Sequence, residues 1–382
     1  MSNRIKIIHV LNTLCIGGIE RIIIELCNRL DPQKYEVTLV VLSNNIMDLQ
    51  IIVDKHVNLI IIPLKHRFIS LLDTCSLFVH ISQITKYFKK VNPEIIHTHT
   101  FQYNVMPVLL AVRIAAKNAS HFHTIHTSGI HYENKNIKHW IKLKVEDWWY
   151  NKCKTQIVCI SPTINEQIDA LFKEKKYPAI TICNGIDLEK FRSTLNLNQI
   201  DKVIRIVYTA RLDNGKSHDT LINAFSTLTK KYGNLQLILI GDGLLRSKLE
   251  LMALDLNVVN EVKFLGNCQN VPKILGQCNI GVFPSEYEGF GIALIEMMAM
   301  ALPIVCSDLP IFHSIHLNES NVFFFPPRND NMLALQIEKF IISPELRYEY
   351  AQKSLQISKL FSIDTMVSEY EYRYNRIVKK NE

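Results

Sequence analysis

Short runs of aliphatic and β-branched residues, most of them apolar on both faces, recur along the chain with longer segments of helical spacing between them. The runs fall at 5–10, 37–42, 59–62, 95–97, 121–125, 156–160 and 180–182. They stop near residue 185, in a polar stretch reaching about 202, and restart at 204–208, 235–240, 262–265, 280–283, 304–305 and 321–325. Strands apolar on both faces belong to parallel sheets covered by helices on each side. Segments such as 20–30 and 71–91 supply those helices. The pattern predicts an α/β protein of two tandem sheet domains, 1–185 and 186–382, with a last helix at about 362–379 free to pack back on the first. Open parallel sheets bind ligands beyond the carboxyl ends of their strands, so the loops there are the places to look for chemistry.

Composition narrows the class. With 48% hydrophobic and 21% charged residues, disordered, collagen-like and coiled-coil chains are excluded. Nine cysteines, an odd number without a C-x-x-C pair, read as reduced thiols. The chain opens directly into an apolar run without a signal-peptide pattern, and its apolar runs fall far short of the ~18 residues a membrane span needs. A cytoplasmic protein is expected. The net charge of +7 is unevenly placed: 23 Lys plus Arg against 16 Asp plus Glu up to residue 190, and 20 against 20 beyond it. The first half is therefore expected to face an anionic partner.

Three strand-end loops carry chemistry. In the run from Pro284 to Glu296, the loop after a strand holds Glu288, Gly289, Phe290 and Gly291, and a helix opens at Ile292 with Glu296 about a turn and a half in. Glycines let backbone approach a ligand, a helix N-terminus offers N–H groups to an anion, and carboxylates accept bonds from hydroxyls. Phosphate plus polyol describes a nucleotide sugar. After the strand at 204–208 come Arg211 and Lys216, bracketing a turn, where a planar fork and a point charge can clamp a diphosphate. After the first strand, Gly17-Gly18 leads into a helix, a phosphate or sugar cradle that matches neither the G-x-G-x-x-G fingerprint nor a Walker loop.

Together with His97-Thr98-His99, the 122–128 segment, Asn184-Gly185-Ile186-Asp187 and Gly241-Asp242-Gly243, these loops resemble the retaining nucleotide-sugar glycosyltransferases of family 4, the group 1 transferases of GT-B fold. The resemblance runs the length of the chain. It implies two facing Rossmann-like domains with an interdomain cleft, the first binding acceptor and the second donor. It also implies transfer of a sugar from a nucleoside diphosphate sugar, UDP-linked by expectation, to a saccharide or lipid-linked acceptor, with retention and without a bound metal or other cofactor. Arg211 and Lys216 would bind the diphosphate, Glu296 the ribose, and Glu288 with the Gly289–Ile292 backbone the donor sugar. Gly17 and Gly18 would lie against phosphates or acceptor, and His126 near the reaction centre.

The chain departs from the family pattern at three points. Ala301 stands where the family has glycine after Glu-Ala-Met-Ala-x, which predicts a different helix ending. Ser217 replaces the glycine after the lysine, and 309–316 lacks an acidic residue often found there.

Seven of fourteen histidines lie between His97 and His139. A metal hydrolase is the rival enzyme class and a non-catalytic GT-B scaffold the rival role. Neither His-x-His pair is expected to converge, because side chains along a strand alternate faces. At 135–154, Lys135, Lys138, Lys142, Lys144, Lys152 and Lys154 interleave with Trp140, Trp148 and Trp149, which suits either an anionic membrane surface, on the inner face of the cell membrane, or a core-facing helix with a solvated basic side. No nucleic-acid motif is present.

Overall fold

The computed structural model describes residues 4–15, 17–43, 52–63, 71–99, 102–126, 137–172, 178–193 and 203–381, without the side chains of 71–80, 102–107, 137–143 and 379–381. Two compact units result. One comprises residues 1–184 with 363–382, the other 185–362.

The first unit runs β1 (Ile5–Leu11), α1 (Gly18–Arg29), β2 (Tyr35–Val41), β3 (Asn58–Ile61), α2 (Leu71–Val91), β4 (Ile95–Thr98), α3 (Gln102–Ala115), β5 (Ser120–Ile125), α4 (Ile137–Lys152), β6 (Gln156–Cys159), α5 (Pro162–Leu171) and β7 (Ile180–Thr181). The strands form one parallel sheet in the order β3-β2-β1-β4-β5-β6-β7. One sheet face (Ile8, Val10, Val40, Ile96) packs with Ile84 and Phe88 of α2 and with Val108, Ala111 and Val112 of α3.

The second unit runs β8 (Ile204–Thr209), α6 (His218–Thr229), β9 (Leu235–Ile240), α7 (Arg246–Asp255), β10 (Val262–Gly266), α8 (Val271–Leu275), β11 (Ile280–Phe283), α9 (Ile292–Ala299), β12 (Ile304–Ser307), α10 (Pro310–Ser314), β13 (Phe323–Phe325), α11 (Asp330–Ile342) and α12 (Pro344–Ser358). Its parallel sheet has the order β10-β9-β8-β11-β12-β13. Strand order therefore reverses between β1 and β4 in one unit and between β8 and β11 in the other, the two switch points at which such sheets bind ligands.

The last helix, α13 (Ile363–Asn381), belongs to the first unit. Its Ile363, Met366, Val367, Tyr370 and Tyr374 form an apolar stripe at helical spacing and are buried, and the helix packs on α1. Polar contacts fix it: Tyr35 Oη donates to Asn375 Oδ1 at 3.0 Å, and Arg29 lies 3.4 Å from Asp364.

Ala301 corrects an expectation. It holds φ +60°, the left-handed ending that glycine usually supplies after a helix, so α9 ends in that way with an alanine carrying the strain. Ser217 does the same before α6, at φ +49°. None of the eight described cysteines forms a disulfide. No helix among the described residues is long and apolar enough to cross a membrane.

Candidate functional site

At the switch point of the second unit, the loop after β8 carries Arg211 and Lys216 and the loop after β11 carries Glu288 to Gly291. The structure joins the two loops. Lys216 Nζ donates to Glu288 Oε1 at 2.5 Å, with both side chains largely buried, and the Glu286 amide donates to the Gly215 carbonyl at 2.9 Å. Ser217 Oγ donates to Glu286 Oε1 at 3.0 Å, and Arg328 Nε lies 3.3 Å from the same oxygen. Beneath them, Tyr208 and Ser285 share a buried hydroxyl–hydroxyl bond of 3.0 Å. Arg211 takes a different position: 70% exposed, it pairs with Asp213 at 3.2 Å.

Two glycines are required here. Gly241 holds φ +130°, and a Cβ on it would lie 2.0 Å from the Ala210 carbonyl oxygen, so only glycine lets the β9 end approach the Arg211 loop. Gly291 opens α9 at φ +86°, turning the chain so that Ile292 starts the helix. Phe290 is buried against Phe361, which leaves only its backbone to meet a ligand. Gly289 sits in the loop between Glu288 and Phe290 and does not take a left-handed conformation. Glu296 is 7% exposed, so it is no solvated helical residue.

In the first unit, Gly17 precedes α1 in an extended conformation and Gly18 is the first helical residue. Glu20 reaches back over this helix start: it accepts from Thr13 Oγ1 at 3.0 Å, and its carboxylate fills the space a Cβ on Gly17 would take. His126 follows β5, next to the switch point. Its Nε2 lies 3.2 Å from His99 Nδ1, and His99 Nε2 lies 3.0 Å from His9 Nδ1. Three imidazoles thus stand in file, with the His126 Nδ1 at the outer end buried and without a partner among the described residues. Burial lowers the pKa of His9 to about 3, and burial with His123 nearby lowers that of His126 to about 3. All three rings are neutral near pH 7.

The histidines overturn the expectation that the His-x-His pairs do not converge. Residues two apart on a strand leave on the same face, not opposite ones. His97 and His99 have ring centroids 4.0 Å apart, and His9 lies in register with His97 on the neighbouring strand. His121 and His123 meet at one hydroxyl on the other face, Thr98 Oγ1, at 3.1 and 2.8 Å. His9, His97 and His99 offer nitrogens within 4.8 Å of one another. Yet the His97 nitrogens bond Tyr374 at 2.6 Å and Thr124 at 2.7 Å, while those of His99 bond His9 and His126. Hydrogen bonds occupy both nitrogens of His97 and of His99 and the Nδ1 of His9, while the buried His9 Nε2 has no partner among the described residues.

Sequence reasoning missed His9, Glu20, Glu286 and Arg328. His9 is a lone histidine in a strand, and only strand register reveals its partners. Arg328 is brought to Glu286 by the fold from a separate loop. Of the flanking expectations, Thr127, Ser128 and Lys135 lie outside the described residues, as do the side chains of Lys138, Trp140 and Lys142. Trp148 is described and is 52% exposed, with the Lys152 ammonium 5.4 Å from its ring centroid.

A family model described as glycosyl transferases group 1 matches residues 190–356, and one described as glycosyltransferase family 4 matches residues 16–190. The Escherichia coli UDP-Gal:alpha-D-GlcNAc-diphosphoundecaprenol alpha-1,3-galactosyltransferase is 26% identical over 341 residues, 84% of each chain. A glycosyltransferase of Methanocaldococcus jannaschii is 27% identical over 239 residues, and the match spans 59% of this chain and 58% of that one. Among solved structures, Anabaena HepE in complex with UDP and glucose superposes with a TM-score of 0.80 at 17% identity, over 97% of this chain and all of HepE. At that identity the likeness is one of fold. The two parallel-sheet α/β domains are those of GT-B proteins.

Proposed function

This chain belongs to the group 1 glycosyltransferases, and on that footing we propose that it transfers a sugar from a UDP-linked donor to a saccharide or lipid-linked acceptor in cell-surface polysaccharide or glycoconjugate synthesis. The observation that carries the reading is the Lys216–Glu288 contact at the β8/β11 switch point, where a phosphate-seeking cation and a hydroxyl-seeking carboxylate stand side by side. A diphosphate leaving group gathers negative charge as the glycosidic bond breaks. Lys216, Arg211 and the α9 N-terminus at Gly291 and Ile292 meet that charge, which lets the reaction proceed without a metal ion, and attack by the acceptor on the face the diphosphate leaves gives retention. Glu288 and the Gly289–Ile292 backbone hold the sugar, and Glu296 holds the ribose.

On the first unit, the Gly17-Gly18 turn and His126 receive the acceptor side. The His126 Nδ1, without a partner among the described residues, is a neutral ring nitrogen suited to a sugar hydroxyl. The acceptor class is supported by the diphosphoundecaprenol in the E. coli relative's name, and a UDP donor by the ligands of HepE. The Trp148–Lys152 face of α4 would bring the enzyme to an anionic membrane.

Screening UDP-, GDP- and ADP-sugars for thermal stabilisation tests the donor, since a ligand that binds only the folded protein raises its melting temperature. Hydrolysis of the stabilising donor without acceptor is the expected activity and would exclude a non-catalytic scaffold. Stabilisation by none of them would overturn the reading.

A further inference from the structure

The seven-stranded sheet has a second rim. The Gly17 turn and His126 lie where its strands end; at the opposite rim, where β5 begins at Ser120, a separate pocket of about 380 Å³ opens between α3, α4 and the strand starts. That volume lies within the range of ordinary ligand sites. Six residues of β5, at ~3.3 Å each, put it roughly 20 Å from His126.

Arg113, Lys117, Lys152 and Lys154 line this pocket and no acidic residue does. Among the described residues none of the four pairs with a carboxylate; Lys152 rests on the Trp148 ring, which leaves its charge uncancelled. A plainer account exists for two of them. Arg113 and Lys152 stand in the last turns of α3 and α4, where cations offset the negative ends of helix dipoles. Each such end carries about half a negative charge, so two ends account for roughly one of the four positive charges. Lys117 and Lys154 lie beyond the helices and remain unexplained. Lys154 moreover holds φ +51°, a left-handed position following α4 where glycine or asparagine fits at lower cost. Strain retained to keep a lysine there argues from conformation to a task for its charge.

We propose that this pocket binds a phosphate group, as a second anion site distinct from the one at the β8/β11 switch point. The Arg113 fork and the lysine ammoniums suit tetrahedral oxyanions, and the Asn118 amide lines the same space. The phosphate belongs either to an anionic lipid headgroup, with exposed Trp148 alongside, or to a soluble phosphorylated molecule. The proposal does not rest on the transferase reading, although Lys152 and Lys154 also belong to the basic 135–154 segment.

Two arms test it, each comparing the wild-type protein with Lys117→Gln/Lys154→Gln and with a control, Lys55→Gln/Lys89→Gln, that removes the same charge elsewhere on this unit. Calorimetric titration with inorganic pyrophosphate at low salt reads the soluble source, and Arg211→Ala/Lys216→Ala separates it from the donor site. Flotation on phosphatidylglycerol against phosphatidylcholine vesicles reads the lipid source. The expected result is at least a tenfold loss in one arm for the pocket variant with the control unaffected; in the pyrophosphate arm that loss is expected also when the pocket substitutions are made in the Arg211→Ala/Lys216→Ala background, where the donor site no longer contributes. Equal behaviour of pocket variant and wild type in both arms, or an equal loss in the control, overturns the proposal.

Discussion

Lys216 and Glu288 are 72 residues apart in sequence and 2.5 Å apart in space. The contact closes two strand-end loops over the point where the second sheet reverses its order. It also makes the lysine's charge part of a pair that an incoming diphosphate must share or displace.

Arg211→Ala and Lys216→Ala are each expected to lower turnover by about 10²–10³, the typical cost of one preorganised donor to developing charge. Their stabilities should differ. Arg211 is 70% exposed and its loss should leave the melting temperature unchanged, whereas losing Lys216 strands the Glu288 carboxylate, whose side chain is only 11% exposed. Steady-state kinetics with thermal unfolding checks both; near-normal activity in both variants would remove the proposed role.

Ala301→Gly should stabilise the protein by roughly 0.5–1 kcal/mol. Relief of left-handed strain, about 1–2 kcal/mol for a residue with a Cβ, outweighs the extra chain entropy glycine adds to the unfolded state. Chemical denaturation would show a higher midpoint at unchanged slope.

The buried histidines on the two faces of the first sheet predict acid lability. The folded-state values of about 3 for His9, His121 and His126 and about 4 for His123 lie below 6.5, the value these groups recover on unfolding. The unfolded chain therefore takes up protons first. Stability present above pH 6.5 should drain away as pH falls from 6.5 towards 3–4, at up to about 1.4 kcal/mol per pH unit for each histidine. Urea unfolding at stepwise pH checks this, and a flat curve between pH 6.5 and 4.5 would contradict it.

Tyr374→Phe should cost about 1–3 kcal/mol, because it leaves a buried His97 nitrogen without its 2.6 Å partner. Tyr370→Phe, whose hydroxyl makes a longer 3.2 Å contact with Thr124, should cost less. Thermal melts of the two variants rank them.

Much of this architecture could be read in advance because it is written in local pattern. Runs apolar on both faces, such as 235–240, can only be covered parallel strands, and strand-end loops holding Arg211 or Gly291 mark ligand rims wherever the sheets turn. What local pattern omits is register. Nothing near His9 announces that it will stand opposite His97, and His97 and His99, two apart on a strand, share a face that alternation between neighbours hides. Backbone strain is hidden for the same reason: Ala301 and Ser217 look like departures from a glycine rule, but the surrounding chain holds them in the glycine conformation.

The placement of α13 sets a timetable for synthesis. The histidine rim of the first unit is sealed by Tyr370 and Tyr374, which leave the ribosome some 180 residues after the sheet they cover. At about 5–20 residues per second, that sheet spends roughly 10–40 s with a greasy, histidine-lined face uncovered while the entire second unit is made. Until α13 arrives, that uncovered face is the part of the nascent chain most open to aggregation, and slow codons in the second unit would lengthen its exposure.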